Sequence, residues 1–502
     1  MSLRVYNTLS KQKELFEPVK PGKVGIYLCG PTVYKPPHIG HLVGPVIFDA
    51  IKRYLSFKGF EVTWVVNITD VDDKLIDAAN EEKTSVAEIA QRCTKDYLDA
   101  LAGLGIDTID RFPKASEHMS EITDLIQKLV DQGFAYATGG NVWFDVTKDE
   151  DYGKLSHRRL EDQEAGNRDL QGTGKRNPAD FALWKAAKPG EPKWDSPWGP
   201  GRPGWHIECS AMSMKYLGQR LDIHGGGMDL LFPHHENELA QSESATGQPF
   251  AKYWLHNGLT RMKTKLASGE VKSEKMSKSL GNVIDARTAI ADFGADLLRY
   301  LILSTHYRSP IDFGDEVVVA ARKGLSTFTR LFERIERILG EPLSDKIQNM
   351  EQAAGDLIAN DDADFARAVL AHKMKFLEMM DDDFNTAGAI ASLHELAGVV
   401  NGFIEAKRVE KEKQPDTVAA AAAAVQTFKN LGGVLGFFRV KPLSSDAREK
   451  GLIEDLMKVF IAIRKEARES KNFATADSIR KHLTSIGITL EDRPDGTIWR
   501  KD

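Results

Sequence analysis

A strand, a loop and a helix near the start of the chain restrict the fold more than any other feature. Residues 23–29 are mostly apolar with β-branched members, which predicts a strand, and Gly-Pro and Pro-Pro pairs follow it. Apolar residues then recur at helical spacing between 47 and 55, which predicts a helix from near Pro37 to Gly59. This order is typical of a parallel sheet that binds ligands at the carboxyl ends of its strands.

The loop and the start of this helix contain the sequence Pro-His-Ile-Gly-His at 37–41. We expect His38 and His41 in the first turn, where imidazole groups can donate hydrogen bonds to phosphate oxygens during nucleotidyl transfer. Taken alone, the motif is equally consistent with histidines that cap a helix or lie on its solvated face.

A second short motif, Lys-Met-Ser-Lys-Ser, occupies 275–279. Alone, its charges would indicate a solvated loop. A mobile loop with lysines can also close over a triphosphate and stabilise the transition state at the α-phosphate, which makes Lys275 and Lys278 candidate catalytic residues. Asp285 is predicted to cap the helix that follows.

The chain has three cysteines and no Cys-x-x-Cys pair, so the sequence predicts neither a disulfide framework nor a zinc ribbon. Few cysteines and no signal sequence indicate a reducing cytoplasm. Cys93 falls in a helix that opens with a Ser85-x-x-Glu88 capping box, and we expect it in the core.

The remaining cysteines are candidate metal ligands. Pro233 is predicted at the first position of a helix, which places His234 and Glu238 one turn apart on one face. With Cys29 and Cys209 they would form a tetrahedral zinc site. Spacing alone leaves a buried thiol at 209 and a surface histidine at 234 as open alternatives.

Longer blocks carry a resemblance to a known family. They are Tyr-Leu-Cys-Gly-Pro-Thr-Val-Tyr at 27–34, Asn-Ile-Thr-Asp-Val-Asp-Asp-Lys at 67–74, Gly-Trp-His-Ile-Glu-Cys-Ser at 204–210 and Asp-Ile-His-Gly-Gly-Gly at 222–227. With the two short motifs, they resemble the cysteine-specific class I aminoacyl-tRNA synthetases over essentially the whole chain. The resemblance implies one zinc ion per subunit on Cys29, Cys209, His234 and Glu238.

The same resemblance implies a reaction. L-cysteine and ATP, with magnesium on the phosphates, would form cysteinyl-adenylate, and cysteine would pass to the 3′ end of tRNA(Cys), with AMP and diphosphate released. Zinc favours a thiolate over a hydroxyl ligand, so we predict selection of cysteine by the metal and no editing domain. The implied substrate-binding residues are Thr69 and Trp205, and the implied ATP-binding residues are His38, His41, Gly226, Gly227, Asp229 and Lys278.

The predicted fold class is α/β: a nucleotide-binding parallel-sheet domain with an insertion, then a helical bundle and a small C-terminal module. The catalytic fold spans 1–112 and 204–312, the second part with the zinc ligands and the lysine motif, and an inserted connective region spans 113–203. Beyond it we predict a stem-contact helical region at 313–360 and an anticodon-side bundle at 361–440. Within the insertion, a hairpin is expected around Gly139-Gly140, and the rest is expected to be irregular.

The module at 447–502 has basic side chains interleaved with aromatic ones, a pattern suited to unstacked RNA bases. The resemblance implies anticodon recognition by Arg468, Phe473, Asp477 and Asp492. For each residue singly, an ordinary charged helix face is about as good an interpretation.

Composition fits this interpretation without proving it. The 502 residues carry a formal net charge of −6, which does not by itself indicate nucleic-acid binding, although a local basic face could hold tRNA. The sequence shows no apolar run of about 18 residues, so we expect no membrane span. We also expect a cytoplasmic monomer.

Two alternatives stay open from the sequence. One is a cysteine ligase of the same superfamily that transfers activated cysteine to an amino sugar, although such relatives lack a full anticodon-binding tail. The other is a catalytically silent paralogue that binds RNA, which should have lost some of the motif residues. The segment 262–274 is also longer than the hairpin common before the lysine motif.

Overall fold

The computed structural model describes residues 2–158, 174–265, 271–276, 282–344, 346–357, 362–440, 445–493 and 496–501. The chain divides into two compact units, Met1–Val440 and Lys441–Asp502. The first unit contains the parallel sheet, its insertion and the helical bundle. The predicted α/β fold class is confirmed.

A four-stranded parallel sheet forms the centre of the first unit. Its strand order is β10-β9-β3-β4, and its strands are β3 (Lys23–Leu28), β4 (Glu61–Val66), β9 (Leu221–Gly227) and β10 (Ala251–Asn257). The inner residues of β3 and β4 are almost fully buried, as expected for parallel strands covered on both faces. The sheet therefore aligns the ends of strands that are distant in sequence. A hairpin of β1 (Arg4–Asn7) and β2 (Gln12–Leu15) precedes it.

Helix α1 (Gly40–Phe57) connects β3 and β4 and begins later than predicted. His38 forms an isolated bridge with Asp285, and the amide of Ile39 donates to the carbonyl of Ile284, so these two residues are held outside the helix. His41 lies in the first turn as expected, whereas His38 precedes it. The predicted apolar face is buried throughout.

Two helices follow β4, namely α2 (Asp73–Glu82) and α3 (Val86–Gly103). The predicted capping box of Ser85 and Glu88 is present, and Cys93 is buried in the core. Both local predictions are confirmed, because each depends on residues within one or two turns.

The insertion contains its own small core. After a short 3-10 turn (Ala115–Glu117), α4 (Met119–Asp131) packs near an antiparallel sheet in the order β5-β6-β7-β8. The predicted glycine hairpin is confirmed as β5 (Ala135–Thr138) and β6 (Asn141–Phe144), which is followed by another 3-10 turn (Val146–Lys148). The expectation of irregular structure up to 203 is wrong, since β7 (Phe181–Ala186) and β8 (Gly201–Pro203) extend the sheet. β7 pairs with β6 across a long stretch of intervening sequence, and such a contact leaves no local pattern in the chain.

The second half of the catalytic fold begins at α5 (Trp205–Leu217). After β9, a wide turn (Leu231–His235) with a cis Phe232-Pro233 bond leads into α6 (Glu236–Thr246). This helix begins three residues after the predicted Pro233.

Beyond β10, a second sheet contains β11 (Thr260–Lys265), β12 (Val271–Lys275) and β13 (Ile311–Phe313), in the order β12-β11-β13. The helices between β12 and β13 are α7 (Ala286–Phe293), capped by Asp285 as predicted, and α8 (Ala295–Leu303).

A helical bundle completes the first unit, as the helical periodicity beyond 313 predicted. Its helices are α9 (Asp315–Leu339), α10 (Met350–Leu357), α11 (Ala363–Asp381), α12 (Thr386–Ala406), α13 (Val409–Glu412) and α14 (Pro415–Val434). Helix α12 is long and apolar enough to cross a membrane by length and composition, with a mean hydropathy of 1.3 over its most apolar window. Half of that window is buried inside the bundle, which is also typical of core helices.

The second unit has two helices and a two-stranded antiparallel sheet. They are α15 (Ser445–Glu469), α16 (Phe473–Ser485), β14 (Ile488–Arg493) and β15 (Gly496–Lys501). Its small core includes Met457, Leu483 and Leu490.

Candidate active site

A cavity of about 520 Å³ opens at the carboxyl ends of the parallel strands. Cys29 follows β3, Asn67 and Thr69 follow β4, and Gly226 and Gly227 end β9. Because parallel strands end at one edge of the sheet, residues from both halves of the catalytic fold meet there. The cavity is also lined by residues of both short motifs, among them His38, His41 and Lys275.

The four predicted zinc ligands converge at the base of this cavity. One ligand atom from each of Cys29, Cys209, His234 and Glu238 lies within 4.8 Å of the others. The two sulfurs are 3.9 Å apart, the Cys29 sulfur is 3.3 Å from Glu238 Oε1, and His234 Nε2 is 3.0 Å from the same oxygen. Tetrahedral zinc with ordinary bond lengths separates two sulfurs by about 3.8 Å and a nitrogen from an oxygen by about 3.3 Å. The donor types and their spacing therefore fit a zinc ion.

The protonation of these groups also fits a cation at their centre. Burial, then the neighbouring sulfur, raises the pKa of Cys29 well above its usual value. Burial opposes ionisation of Cys209 as well, but the hydrogen bond from Cys29 and the charge of His234 bring its pKa to about 6. Although burial favours neutral imidazole, the Glu238 carboxylate raises the pKa of His234 to about 10. Protons on Cys29 and His234 thus offset the negative charge of these groups, and a divalent cation that binds there would displace those protons.

Further histidines surround the four ligands, and the sequence prediction did not include them. His206 Nδ1 is 2.9 Å from His234 Nδ1, and the Trp205 ring stacks on His234 at 4.3 Å between centroids. His224 Nε2 is 2.8 Å from Glu238 Oε2 and so orients the carboxylate. These histidines lie in the same sequence blocks as the predicted ligands, and only that proximity could have indicated them.

A second set of donors overlaps the first. Ligand atoms of Cys29, His224, His235 and Glu238 also lie within 4.8 Å of one another. In this set, however, His224 Nε2 is engaged with Glu238 and His235 Nδ1 is 2.8 Å from His256 Nε2. The first set supplies two sulfur donors, which zinc favours. His224 therefore supports Glu238 by a hydrogen bond, and His235 pairs with His256 beside it.

The two histidines of the first motif lie at the mouth of the cavity. Their rings stack with centroids 3.8 Å apart, and the backbone amide of Gly40 donates to His38 Nδ1 at 3.1 Å. A Cβ on Gly40 would lie 2.9 Å from the His38 ring, so only glycine permits this arrangement. The pair is pre-arranged by local backbone contacts at the start of α1.

The lysine motif is described in part. Lys275 Nζ is 3.3 Å from Asp229 Oδ2, and both side chains are about half exposed. Lys278, the other predicted catalytic lysine, lies outside the described residues. Gly226 approaches His235 closely, since a Cβ there would lie 2.6 Å from the His235 ring. Asp229, Gly226 and Gly227 line the cavity as the sequence predicted.

The two predicted cysteine-binding residues also line this cavity. Trp205 is 38% exposed and covers His234, whereas Thr69 is buried in the wall. The hydroxyl of Thr69 donates to Glu208 Oε2 at 3.2 Å and accepts from the Asn67 amide at 3.2 Å. Neither Glu208 nor Asn67 was among the predicted site residues.

The four predicted anticodon residues lie in the second unit. Arg468 donates to Asp492 at 3.0 Å, and Arg464 and Arg480 bind the same carboxylate. The hydrogen bond from Arg464 is the largest influence on Asp492 and lowers its pKa well below the usual value. Phe473 is 58% exposed at the start of α16, and Asp477 lies one turn further along that helix.

Sequence comparisons identify the family. Residues 15–323 match the model for tRNA synthetases class I (C) catalytic domain, and residues 375–439 match the DALR domain. The cysteine–tRNA ligase of Syntrophotalea carbinolica is 47% identical, with both chains covered completely, and that of Pelotomaculum thermopropionicum is 46% identical, with 99% of this chain and all of the relative covered. The chain belongs to the class I cysteine–tRNA ligases. As a member of the cysteine–tRNA ligases it is an ATP-using ligase that forms aminoacyl-tRNA.

Solved structures agree on the fold of this cysteine–tRNA ligase family member. The methionyl-tRNA synthetase of Mycobacterium tuberculosis in complex with methionyl-adenylate aligns with a TM-score of 0.59 and 16% identity, over 82% of this chain and 90% of that one. A leucyl enzyme from Agrobacterium radiobacter aligns with a TM-score of 0.58 and 13% identity, over 86% and 87%. At this identity the likeness concerns the class I architecture alone.

Proposed function

We propose that this enzyme selects L-cysteine through a zinc ion held by Cys29, Cys209, His234 and Glu238, and charges tRNA(Cys) with it. The observation that supports the proposal most directly is the convergence of these four donors, within 4.8 Å, at the base of the cavity. They come from parts of the sequence up to 209 residues apart. No structural need requires two buried thiols, an imidazole and a carboxylate to share one point.

The metal centre would set the choice of amino acid. A zinc ion held there would supply Lewis-acid affinity for the thiolate of the substrate, and serine and alanine have no thiolate. Cys29 and Cys209 give the centre its sulfur character, while Glu238 compensates positive charge. His206 and His224 hold the ligand side chains in orientation by hydrogen bonds. Selection by a chemical bond explains why a separate editing site is not required.

The mouth of the cavity would handle ATP. His38 and His41 lie where their imidazoles can donate to phosphate oxygens, and magnesium would bridge those oxygens. Lys275 is held toward Asp229, beside the glycines at the end of β9. We propose that Gly226, Gly227 and Asp229 bind the adenosine part and that Lys278 stabilises charge at the α-phosphate. Cysteine activation would then occur between the metal centre and the histidine pair.

The tRNA would contact two further regions. Four exposed basic residues lie on one face of α9, namely Arg322, Lys323, Arg330 and Arg337. In a chain of net charge −6, such a face provides local positive charge that attracts RNA phosphates. It supports the stem-contact role of 313–360. In the second unit, exposed Phe473 and the arginines around Asp492 support a role in anticodon recognition.

Three measurements on the purified full-length protein test the proposal. We expect about one zinc per chain, pyrophosphate exchange that depends on cysteine but not on serine, and charging of tRNA(Cys) transcript. Absence of cysteine-dependent exchange would contradict activation. Exchange without tRNA charging would instead favour an amino-sugar acceptor, and exchange without bound zinc would exclude selection by the metal.

A further inference from the structure

Glu208 is a buried carboxyl group that the proposed metal site and the phosphate site do not use. It is fully buried in the first turn of α5, next to the ligand Cys209 in sequence. One of its oxygens accepts a hydrogen bond from Thr69, while Oε1 has no hydrogen-bond partner in the described part of the chain. An unsatisfied buried oxygen is costly, and native proteins keep few of them without a reason.

The described charged neighbours of Glu208 are acidic groups. The charged groups that act on this carboxyl group are Cys209, Asp70 and Asp72. Within the described residues, no lysine, arginine or histidine forms an ion pair with it. A cation that arrives with the substrate would relieve this accumulation of negative groups.

Thr69 connects Glu208 to the cavity. Its hydroxyl donates to Glu208 Oε2 and accepts from the Asn67 amide, and the other end of that amide accepts from the Gly30 backbone at 2.8 Å. The proton and one lone pair of the Thr69 hydroxyl are therefore used in these hydrogen bonds, and its second lone pair can still accept one. Because Thr69 lines the cavity, that acceptor can receive a proton from a bound ligand.

We propose that Glu208 is a positioning residue for the α-ammonium group of the substrate and acts through Thr69. By accepting the hydrogen bond of the Thr69 hydroxyl, Glu208 keeps Thr69 Oγ1 as an acceptor toward the cavity, where it can receive a proton of the ammonium group. The amino acid would then be held at two points, its thiol at the metal centre and its ammonium group at Thr69. This inference rests on the proposed function, since it concerns how that same site binds cysteine.

Ligands that contain only part of cysteine test this assignment. In pyrophosphate exchange, L-cysteine gives a KM, while cysteamine (thiol and ammonium) and 3-mercaptopropionate (thiol and carboxylate) give inhibition constants. For Glu208→Gln we expect the KM of cysteine and the inhibition constant of cysteamine to rise about 10-fold or more. The inhibition constant of 3-mercaptopropionate and the zinc content should stay within about twofold, because neither involves the ammonium group.

Equal weakening of all three ligands would mean general distortion of the site and would overturn the inference, as would no change in any of them. Glu236→Gln is the matched control, because Glu236 is equally buried but accepts from the backbone amides of Gly153, Leu155 and Ser156. In that variant the ratio between cysteamine and 3-mercaptopropionate should not change.

If Glu208→Gln does not fold, Thr69→Val removes the same contact from the other side and should give the same pattern. A different result would contradict the proposed function itself, namely the absence of cysteine-dependent exchange in the unmodified enzyme. When exchange is present and the two inhibitors respond alike in the variants, only the role of Glu208 is wrong.

Discussion

The base and the mouth of the catalytic cavity are built in opposite ways. At the base, Cys209, His234 and Glu238 are almost fully buried, and their side chains contact one another at fixed distances. At the mouth, Lys275 and Asp229 are each about half exposed and form a single ion pair. A chemical choice between similar amino acids needs fixed donors, whereas a site that must admit ATP and release pyrophosphate needs room to move.

The same contrast has an electrostatic side. Buried groups at the base have strongly shifted pKa values because few waters screen their charges, as the raised pKa of His234 beside Glu238 illustrates. Exposed ion pairs such as Lys275 with Asp229 are screened and contribute little to stability. Substitutions at the base should therefore change specificity and metal content, and substitutions at the mouth should change rates.

The largest effect is expected at the base. Cys209→Ser should remove most of the bound zinc and lower the preference for cysteine over serine by about 1000-fold, since a site built around one specific bond loses its selectivity with that bond. Zinc content and exchange with each amino acid measure this. Cys93→Ser is the matched control, because Cys93 is equally buried but packs in a different hydrophobic cluster from Cys209. It should affect stability without affecting zinc. Full zinc occupancy in Cys209→Ser would contradict the view that fixed donors at the base of the cavity hold the metal.

The next effect is expected at the mouth. Lys278→Ala should slow adenylate formation by about 100-fold while leaving the affinity for cysteine nearly unchanged, because its proposed role is to stabilise charge that develops in the transition state. Single-turnover adenylate formation and equilibrium binding of cysteine separate the two quantities. Lys272→Ala, an exposed lysine paired with Glu274, serves as the control. Equal losses in rate and in cysteine affinity would contradict the division between base and mouth.

A smaller effect is expected for the described lysine of the same motif. Lys275→Ala removes a half-exposed ion pair with Asp229 and should raise the KM for ATP by about threefold, with a change in the free energy of unfolding below about 1 kcal/mol. Zinc content should not change. A loss of zinc in this variant would show that the two ends of the cavity are coupled.

The smallest effect extends the contrast to the second unit, where Asp492 is an exposed charge with several arginine partners. Arginine contacts lower its folded pKa, so the stabilisation is fully present above its unfolded pKa of about 4 and is lost progressively as pH falls from there through the lower folded pKa. Because the carboxylate is about one-third exposed, we expect at most about 1 kcal/mol. Hydrogen exchange in 445–493 at pH 6 and pH 3 measures it. Asp492→Asn should be less protected than the unmodified protein at pH 6, and this gap should narrow at pH 3. An equal pH response in both proteins would contradict the assignment.

Sequence patterns that act over short distances predicted their elements well. The strand before Cys29, the capping box at Ser85, the cap at Asp285 and the glycine hairpin in the insertion are all present. The starts of α1 and α6 were placed too early, because His38 pairs with Asp285 and a wide turn precedes Glu236. Strands β7 and β8 were missed because their pairing depends on residues far away in sequence. The extents of the six predicted regions, the cytoplasmic location and the monomeric state stay predictions.

By itself, the sequence determined the local elements, the two motifs and the types of donor atom available, since helical and strand periodicity and capping depend on near neighbours. Resemblance to a family then named the four ligands. Only the tertiary structure brought Cys29 after β3, Cys209 in α5 and the start of α6 within 4.8 Å, because the order of the parallel strands decides which distant segments share an edge. Only the tertiary structure also placed Glu208 behind Thr69 and His224 beside Glu238, because burial and charge depend on the whole packed environment.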